Sequence, residues 1–153
     1  MPAERSADGS RSAAIPLPRA GQAGRYVVLR HRVPAAPADR TGGATAPSRG
    51  DHYDWMFEAD GHLLTWASEQ WCAATQAAVL AALPLPPHRL AYLDYEGEVS
   101  GNRGTVYRVE AGTHRLLHVA LDRYVFAVQG GRTGVVTIYR TAPAGSWSIA
   151  LAP

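Results

Sequence analysis

The chain has 153 residues and a formal charge of +2 with a pI near 8.9, which bounds it to one domain with a real core and leaves no room for several modules. So weak a basic balance permits an anionic partner such as nucleic acid without arguing for one, and the lone Cys72 excludes an intrachain disulfide. No apolar run suits a signal peptide or a membrane span, so a soluble, cytoplasmic protein with no membrane partner is expected.

All 15 basic residues are arginine. That reads first as a bias of genomic composition and second as phosphate recognition, since guanidinium grips phosphate bidentately. Residues 1–24, rich in Ala, Arg, Gly, Pro and Ser without a hydrophobic period, read as a disordered tail, and 25–153 as the folded domain. The β-branched run Tyr26 to His31 predicts a strand with Val27, Leu29 and His31 on one face. Residues 33–51, heavy in Pro, Gly, Ala, Thr and Ser, then predict a flexible insertion loop.

His52-Tyr53-Asp54-Trp55-Met56-Phe57-Glu58 predicts a strand of divided character. Alternation sends Tyr53, Trp55 and Phe57 to a buried face and His52, Asp54, Met56 and Glu58 to the other. Asp60-Gly61 predicts a tight hairpin, with His62 to Ala67 returning. Ala-rich Trp71 to Ala82 predicts a short helix within Glu69 to Leu83, although Ala78 to Leu83 also fits a strand. Pro84, Pro86 and Pro87 are expected to stop any regular element before His88. Six further strands are predicted: Arg89 to Tyr95, Gly104 to Val109, His114 to Leu121, Tyr124 to Gln129, Gly134 to Arg140 and Trp147 to Leu151. So many short strands predict a mainly β fold, a small single-domain β-barrel or sandwich with one or two short helices.

His31, His52 and Asp54 offer two imidazoles and a carboxylate, a donor set suited to manganese, iron or zinc. Their meeting requires the first two strands to be neighbours with the insertion looped out. Otherwise His31 is a strand-end histidine and His52 a surface residue beside a solvated Asp54.

The segment His52 to Glu58, followed by Asp60-Gly61 and Thr65-Trp66-Ala67, resembles the 3′-phosphoesterase domain of bacterial DNA ligase D. That family typically reads His-Tyr-Asp-Phe-Arg-Leu-Glu, then a glycine turn and Ser-Trp-Ala. Tyr26 to His31 is similar to the family's preceding strand, and His88 to Gly97 with Gly104-Thr105-Val106 to a later segment bearing a histidine and a tyrosine. In order, the resemblance covers about residues 25–140. It implies a small β-barrel, manganese held by His31, His52 and Asp54, and His88 and Tyr92 facing a scissile phosphate. It also implies a substrate at nucleic acid 3′ ends, DNA before RNA, from which a terminal phosphate or ribonucleotide is trimmed, with a DNA ligase or repair protein as partner. Met56 departs from the family's arginine, and Leu29 from its glutamine.

Chemistry gives these residues further roles to weigh. His88 suits proton donation near neutral pH, or is a loop histidine beside three prolines. Tyr92 is either a phosphate contact or a core aromatic. Arg89 and Arg103 are phosphate grips or solvated surface groups, and Glu58 and Glu96 either orient a metal-bound histidine or lie on strand edges. His62, His114 and His118 read as structural. Two other classes remain open: a catalytically weak barrel that binds nucleic acid ends or a repair partner, and an iron/2-oxoglutarate oxygenase using His52, Asp54, a distal His114 or His118, and Arg123.

Overall fold

Period-2 alternation becomes nine antiparallel strands in the computed structural model, which describes residues 16–34, 50–141 and 145–153. They are β1 (Ala23–Arg32), β2 (His52–Ala59), β3 (His62–Ser68), β4 (Ala78–His88), β5 (Gly97–Glu98), β6 (Thr105–Ala120), β7 (Arg123–Gly130), β8 (Gly134–Arg140) and β9 (Trp147–Ala152). The sheet order is β1-β2-β3-β4-β9-β8-β7-β6-β5, and a β1–β6 pairing closes it into a ring. The expected mainly β, single-domain barrel is therefore present. The expected tail to residue 15 and the insertion over 35–49 lie outside the described residues. Residues 16–24 are not tail-like: Pro18 is buried, and Gly21 and Gln22 exchange backbone hydrogen bonds with Leu116.

Two cores form on opposite faces of the first strands. Tyr26, Val28, Trp55, Phe57, Trp66, Leu116, Phe126, Val136, Ile138 and Ile149 fill the barrel. Phe57 and Phe126 stack at its centre, 3.9 Å between centroids. Outside the barrel, Val27, Leu29, Met56, Leu63 and Val106 meet Leu93 and Val99 from the segment after β4. Two buried faces on one sheet region explain why β1 and β2 are apolar on both sides over Tyr26 to Leu29 and Trp55 to Phe57.

Several expectations fail for identifiable reasons. The helix within Glu69 to Leu83 is absent; β4 takes Ala78 onward, with Leu80 and Ala82 buried in the barrel and Val79 and Leu83 exposed, because β3 and β9 both need a partner there. Pro84, Pro86 and Pro87 do not stop the strand. β9 pairs only as far as Ala82, so beyond it one edge of β4 is unpaired and a missing N–H costs little. A bulge opposite Leu63 and Thr65 accommodates the extra residue between Leu85 and His88. Arg89 to Tyr95 is not a strand but contains a 3₁₀ turn, Leu90–Leu93, whose Leu93 anchors the outer core. The strands expected either side of Gly112 are one long β6. Gly112 is where β6 squeezes past its neighbours, since a Cβ there would lie 2.2 Å from the Gln129 oxygen and 2.9 Å from the Tyr26 ring. The Asp60-Gly61 hairpin forms as expected, with φ of 52° and 86°, the type I′ signature.

A buried ion pair was not foreseen. In β6, Glu110 pairs with Val28 but Arg108 with Leu29, so Val109 is the extra residue of a bulge. The bulge turns Arg108 outward and Glu110 into the barrel. There Glu110 accepts hydrogen bonds from Arg132 Nε (2.7 Å) and a second guanidinium nitrogen (2.9 Å), Tyr26 Oη (2.8 Å) and Trp71 Nε1 (3.0 Å). Arg132 also donates to the Cys72 carbonyl (3.0 Å), tying down the β3–β4 loop. Among the described residues, no helix is long and apolar enough to cross a membrane.

Two outcomes follow from these buried groups. Arg132→Met strands the Glu110 carboxylate and costs roughly 3–5 kcal/mol in urea unfolding, whereas the double variant Glu110→Leu, Arg132→Met recovers much of that loss. His114 is buried against Phe57 and Phe126, its Nε2 donating to the Glu58 carbonyl and its Nδ1 without a partner. Burial lowers its pKa from 6.5, against the raising effect of that carbonyl. The folded state therefore binds fewer protons than the unfolded one, so stability falls as pH drops below 6.5. His114→Gln, which keeps a donor and removes the titration, flattens a melting-temperature profile over that range.

Candidate metal centre

β1 and β2 pair so that His31 faces His52 and Leu29 faces Asp54. Paired residues share a face, so His31, His52 and Asp54 all project to the outer side with Leu29 and Met56. The insertion has looped out between them, and at its base the Val33 N–H donates to Asp51 Oδ1 at 2.9 Å. One donor atom from each of the three residues lies within 4.8 Å of the others. His52 Nε2 is 3.2 Å from Asp54 Oδ1 and His31 Nδ1 is 3.5 Å from Oδ2. The imidazole centroids are 4.8 Å apart.

The far side of each ring decides its electronic state. His52 Nδ1 lies 2.7 Å from the Gly50 carbonyl oxygen, and His31 Nε2 2.7 Å from that of Arg103. A carbonyl only accepts, so both nitrogens carry the proton, and in a neutral ring the opposite nitrogen presents a lone pair. Those lone pairs converge on a carboxylate. Asp54 is 3 % exposed, and its Oδ1 has no hydrogen-bond partner, since the near contact to His52 is not aligned as one. Burial pushes the Asp54 carboxyl up, but hydrogen bonds and positive charge from the His31 and His52 rings, when protonated toward it, outweigh burial and hold it at about 2. With the inner nitrogens deprotonated, two imidazoles and a carboxylate lie close enough together that they could hold one divalent cation. Carbonyls pinning the outer nitrogens are the arrangement that fixes metal-binding histidines.

Gly104 makes the Arg103 contact available. With φ of 105°, it passes so close to β1 that a Cβ would lie 1.9 Å from the Arg32 carbonyl oxygen. The turn from Ser100 to Gly104 therefore sits directly on the end of β1. Arg103 serves through this carbonyl, while its guanidinium binds Ser100 at 2.7 and 3.2 Å.

The other expected site residues lie elsewhere on this face. His88 pairs with Leu63, whereas Asp54 pairs with Ala67, four residues along β3, or about 13 Å of strand. The His88 ring meets Tyr92 edge-on at 5.7 Å, and its Nδ1 donates to the Pro86 carbonyl at 2.9 Å. The Arg89 guanidinium lies over the Tyr92 ring at 5.9 Å. His88, Arg89 and Tyr92 thus form their own cluster, separate from the three donors. Neither glutamate orients a donor histidine: Glu58 accepts from the Arg25 N–H, and Glu96 from the Arg108 N–H and guanidinium. The backbone carbonyls of Gly50 and Arg103, which carry no side-chain signal in the sequence, take that part. His114 points into the barrel, His118 is exposed on β6 and neither joins His52 and Asp54 in a donor group among the described residues, while Arg123 lies over Tyr139 at 5.7 Å, so the distal arm expected for an oxygenase is not assembled there.

No protein-family model matches the chain, and no curated protein is similar to it, so its function is argued from this geometry. Should Mn²⁺ bind the three donors, Gly104→Ala, which displaces the Arg103 carbonyl from His31, is expected to weaken that binding about 10–100-fold by calorimetry. Unchanged affinity would show that this carbonyl does not set the His31 ring.

Proposed function

We propose that the chain is a metal-dependent phosphoesterase that trims 3′ ends of nucleic acid, DNA in preference to RNA, with manganese held by His31, His52 and Asp54. The observation that supports it is the convergence of two imidazoles and a buried carboxylate, with one donor atom from each within 4.8 Å of the others, at one point of the outer face. A divalent cation bound there supplies neutralisation of phosphate charge and a water of lowered pKa. The chain's own residues fix where that chemistry happens. His31 and His52 cannot turn, because each is tied to a carbonyl, and Asp54 stays ionised through the neutral range.

In this reading the reacting phosphate sits at the three donors, and His88, about 13 Å of strand away beyond the outer core, meets a remoter part of the substrate. His88, its Nδ1 donating to the Pro86 carbonyl, leaves Nε2 to meet the substrate away from the reacting phosphate. Tyr92 and Arg89 flank it, and Arg89 meets phosphate charge. Met56 imposes a limit: it is 1 % exposed within the outer core, so the position where the resembling family has arginine offers no cation. A ligase or other repair protein that accepts the trimmed end is the partner this activity calls for.

Burial of His52 and Asp54, together with that apolar Met56, favours a second reading, in which the cation only locks the β1–β2 end of a nucleic-acid-binding barrel. Phosphate release from a 3′-phosphorylated DNA oligonucleotide with Mn²⁺ separates the two. On the first reading the parent releases phosphate, His52→Ala and Asp54→Ala abolish release, and His88→Ala, remote from the donors, raises KM with kcat nearly unchanged. Mn²⁺ binding and thermal stabilisation without any phosphate release would leave only the second.

A further inference from the structure

The inward side of the strand ends that carry the metal donors holds a second group of side chains with no part in the reading above. Arg30 and Arg32 alternate with His31 and so project to the opposite face. Arg30 pairs with Tyr53 of β2 on one side and Tyr107 of β6 on the other. Its guanidinium lies 5.3 Å from the Tyr53 ring centroid and donates to the Tyr53 hydroxyl. Arg32 donates to the Tyr107 hydroxyl at 3.4 Å. Tyr53 in turn stacks on Trp71, with centroids 6.2 Å apart and planes 24° from parallel.

This surface is built on a fixed base. Trp71 Nε1 is held by Glu110, and the next residue, Cys72, gives its carbonyl to Arg132, so the buried ion pair of the barrel sets the height and tilt of the aromatic stack. The groups above it reach solvent: Tyr107 is 37 % exposed, and the Arg30 and Arg32 side chains 35 % and 56 %. Asp51 is the carboxylate that approaches both guanidiniums, at 3.9 and 3.8 Å, and its other oxygen already takes the Val33 N–H. Among the described residues, two cations against one acid leave the patch positive.

We propose that this mouth of the barrel is a stacking platform for an unpaired strand of nucleic acid, with bases on the Tyr53–Trp71 stack and on Tyr107 and phosphates at Arg30 and Arg32. Aromatic faces interleaved with guanidiniums match the alternation of bases and phosphates along a single strand, because every base has a π-face and every linkage a charge. An apolar peptide gains nothing from the arginines, and an acidic one nothing from the exposed rings. The choice of nucleic acid extends the phosphoesterase reading, since a strand leaving the platform passes over the β1–β2 rim to the three donors; binding itself needs no metal.

The test uses the full chain in EDTA with a labelled oligothymidine of about a dozen nucleotides, followed by fluorescence anisotropy. Saturable binding is expected, with log K falling against log salt at a slope of about −1.4 for two phosphate contacts. Tyr107→Ala, at an exposed position, weakens binding about tenfold, and Arg32→Gln lowers the slope by about 0.7. His52→Ala binds as the parent does. The platform is overturned if the parent does not bind, if Tyr107→Ala and Arg32→Gln bind unchanged, or if a proline-rich peptide displaces the oligonucleotide from it. Strand binding without phosphate release sinks the catalytic reading and leaves the platform standing; phosphate release without strand binding does the reverse.

Discussion

The register between β1 and β2 is the constraint on which the rest depends. His31 opposite His52 and Leu29 opposite Asp54 place all three donors on one face, and Arg30 opposite Tyr53 places the guanidinium and the phenol on the other. A slip of one residue would exchange the faces, burying the arginines in the outer core and pointing the imidazoles into the barrel mouth. The register is protected because both faces are packed: Val28, Trp55 and Phe57 lock it from within, and Val27, Leu29 and Met56 from outside. Few strand pairs have hydrophobic reasons on both sides to keep one alignment.

The outer core links packing to chemistry. Leu29 and Met56 are both 1 % exposed and belong to the same cluster as Leu93 and Val99. With apolar groups at both, the segment from Leu90 to Gly104 folds down onto the sheet. That segment ends in the turn whose Arg103 carbonyl fixes His31. The apolar contacts of the outer core thus help hold His31 in place.

The barrel interior supplies the rigidity beneath both faces. The bulge at Val109 aims Glu110 inward, and Arg132, Tyr26 and Trp71 satisfy it. A buried ion pair is a poor source of stability but a strict one for geometry, because each partner left alone is costly. Here it closes the mouth of the barrel and sets Trp71, on which Tyr53 rests.

Short-range pattern settled much of this in advance. The alternation in His52 to Glu58, the Asp60-Gly61 turn and the β-branched run before His31 were enough to place β1, β2 and β3 and to nominate the three donors, because strand period and turn chemistry are local properties. What only the tertiary structure decided is everything that depends on partners distant in the chain. Ala78 to His88 is a strand, prolines included, because β3 requires a neighbour and β9 leaves an edge open. Gly112 continues β6 instead of ending it because Tyr26 and Gln129 crowd it. The anchors of the imidazoles are backbone carbonyls, invisible to any reading of side-chain types, and the Glu110–Arg132 pair joins residues whose charges look like ordinary surface groups until a bulge turns one of them inward.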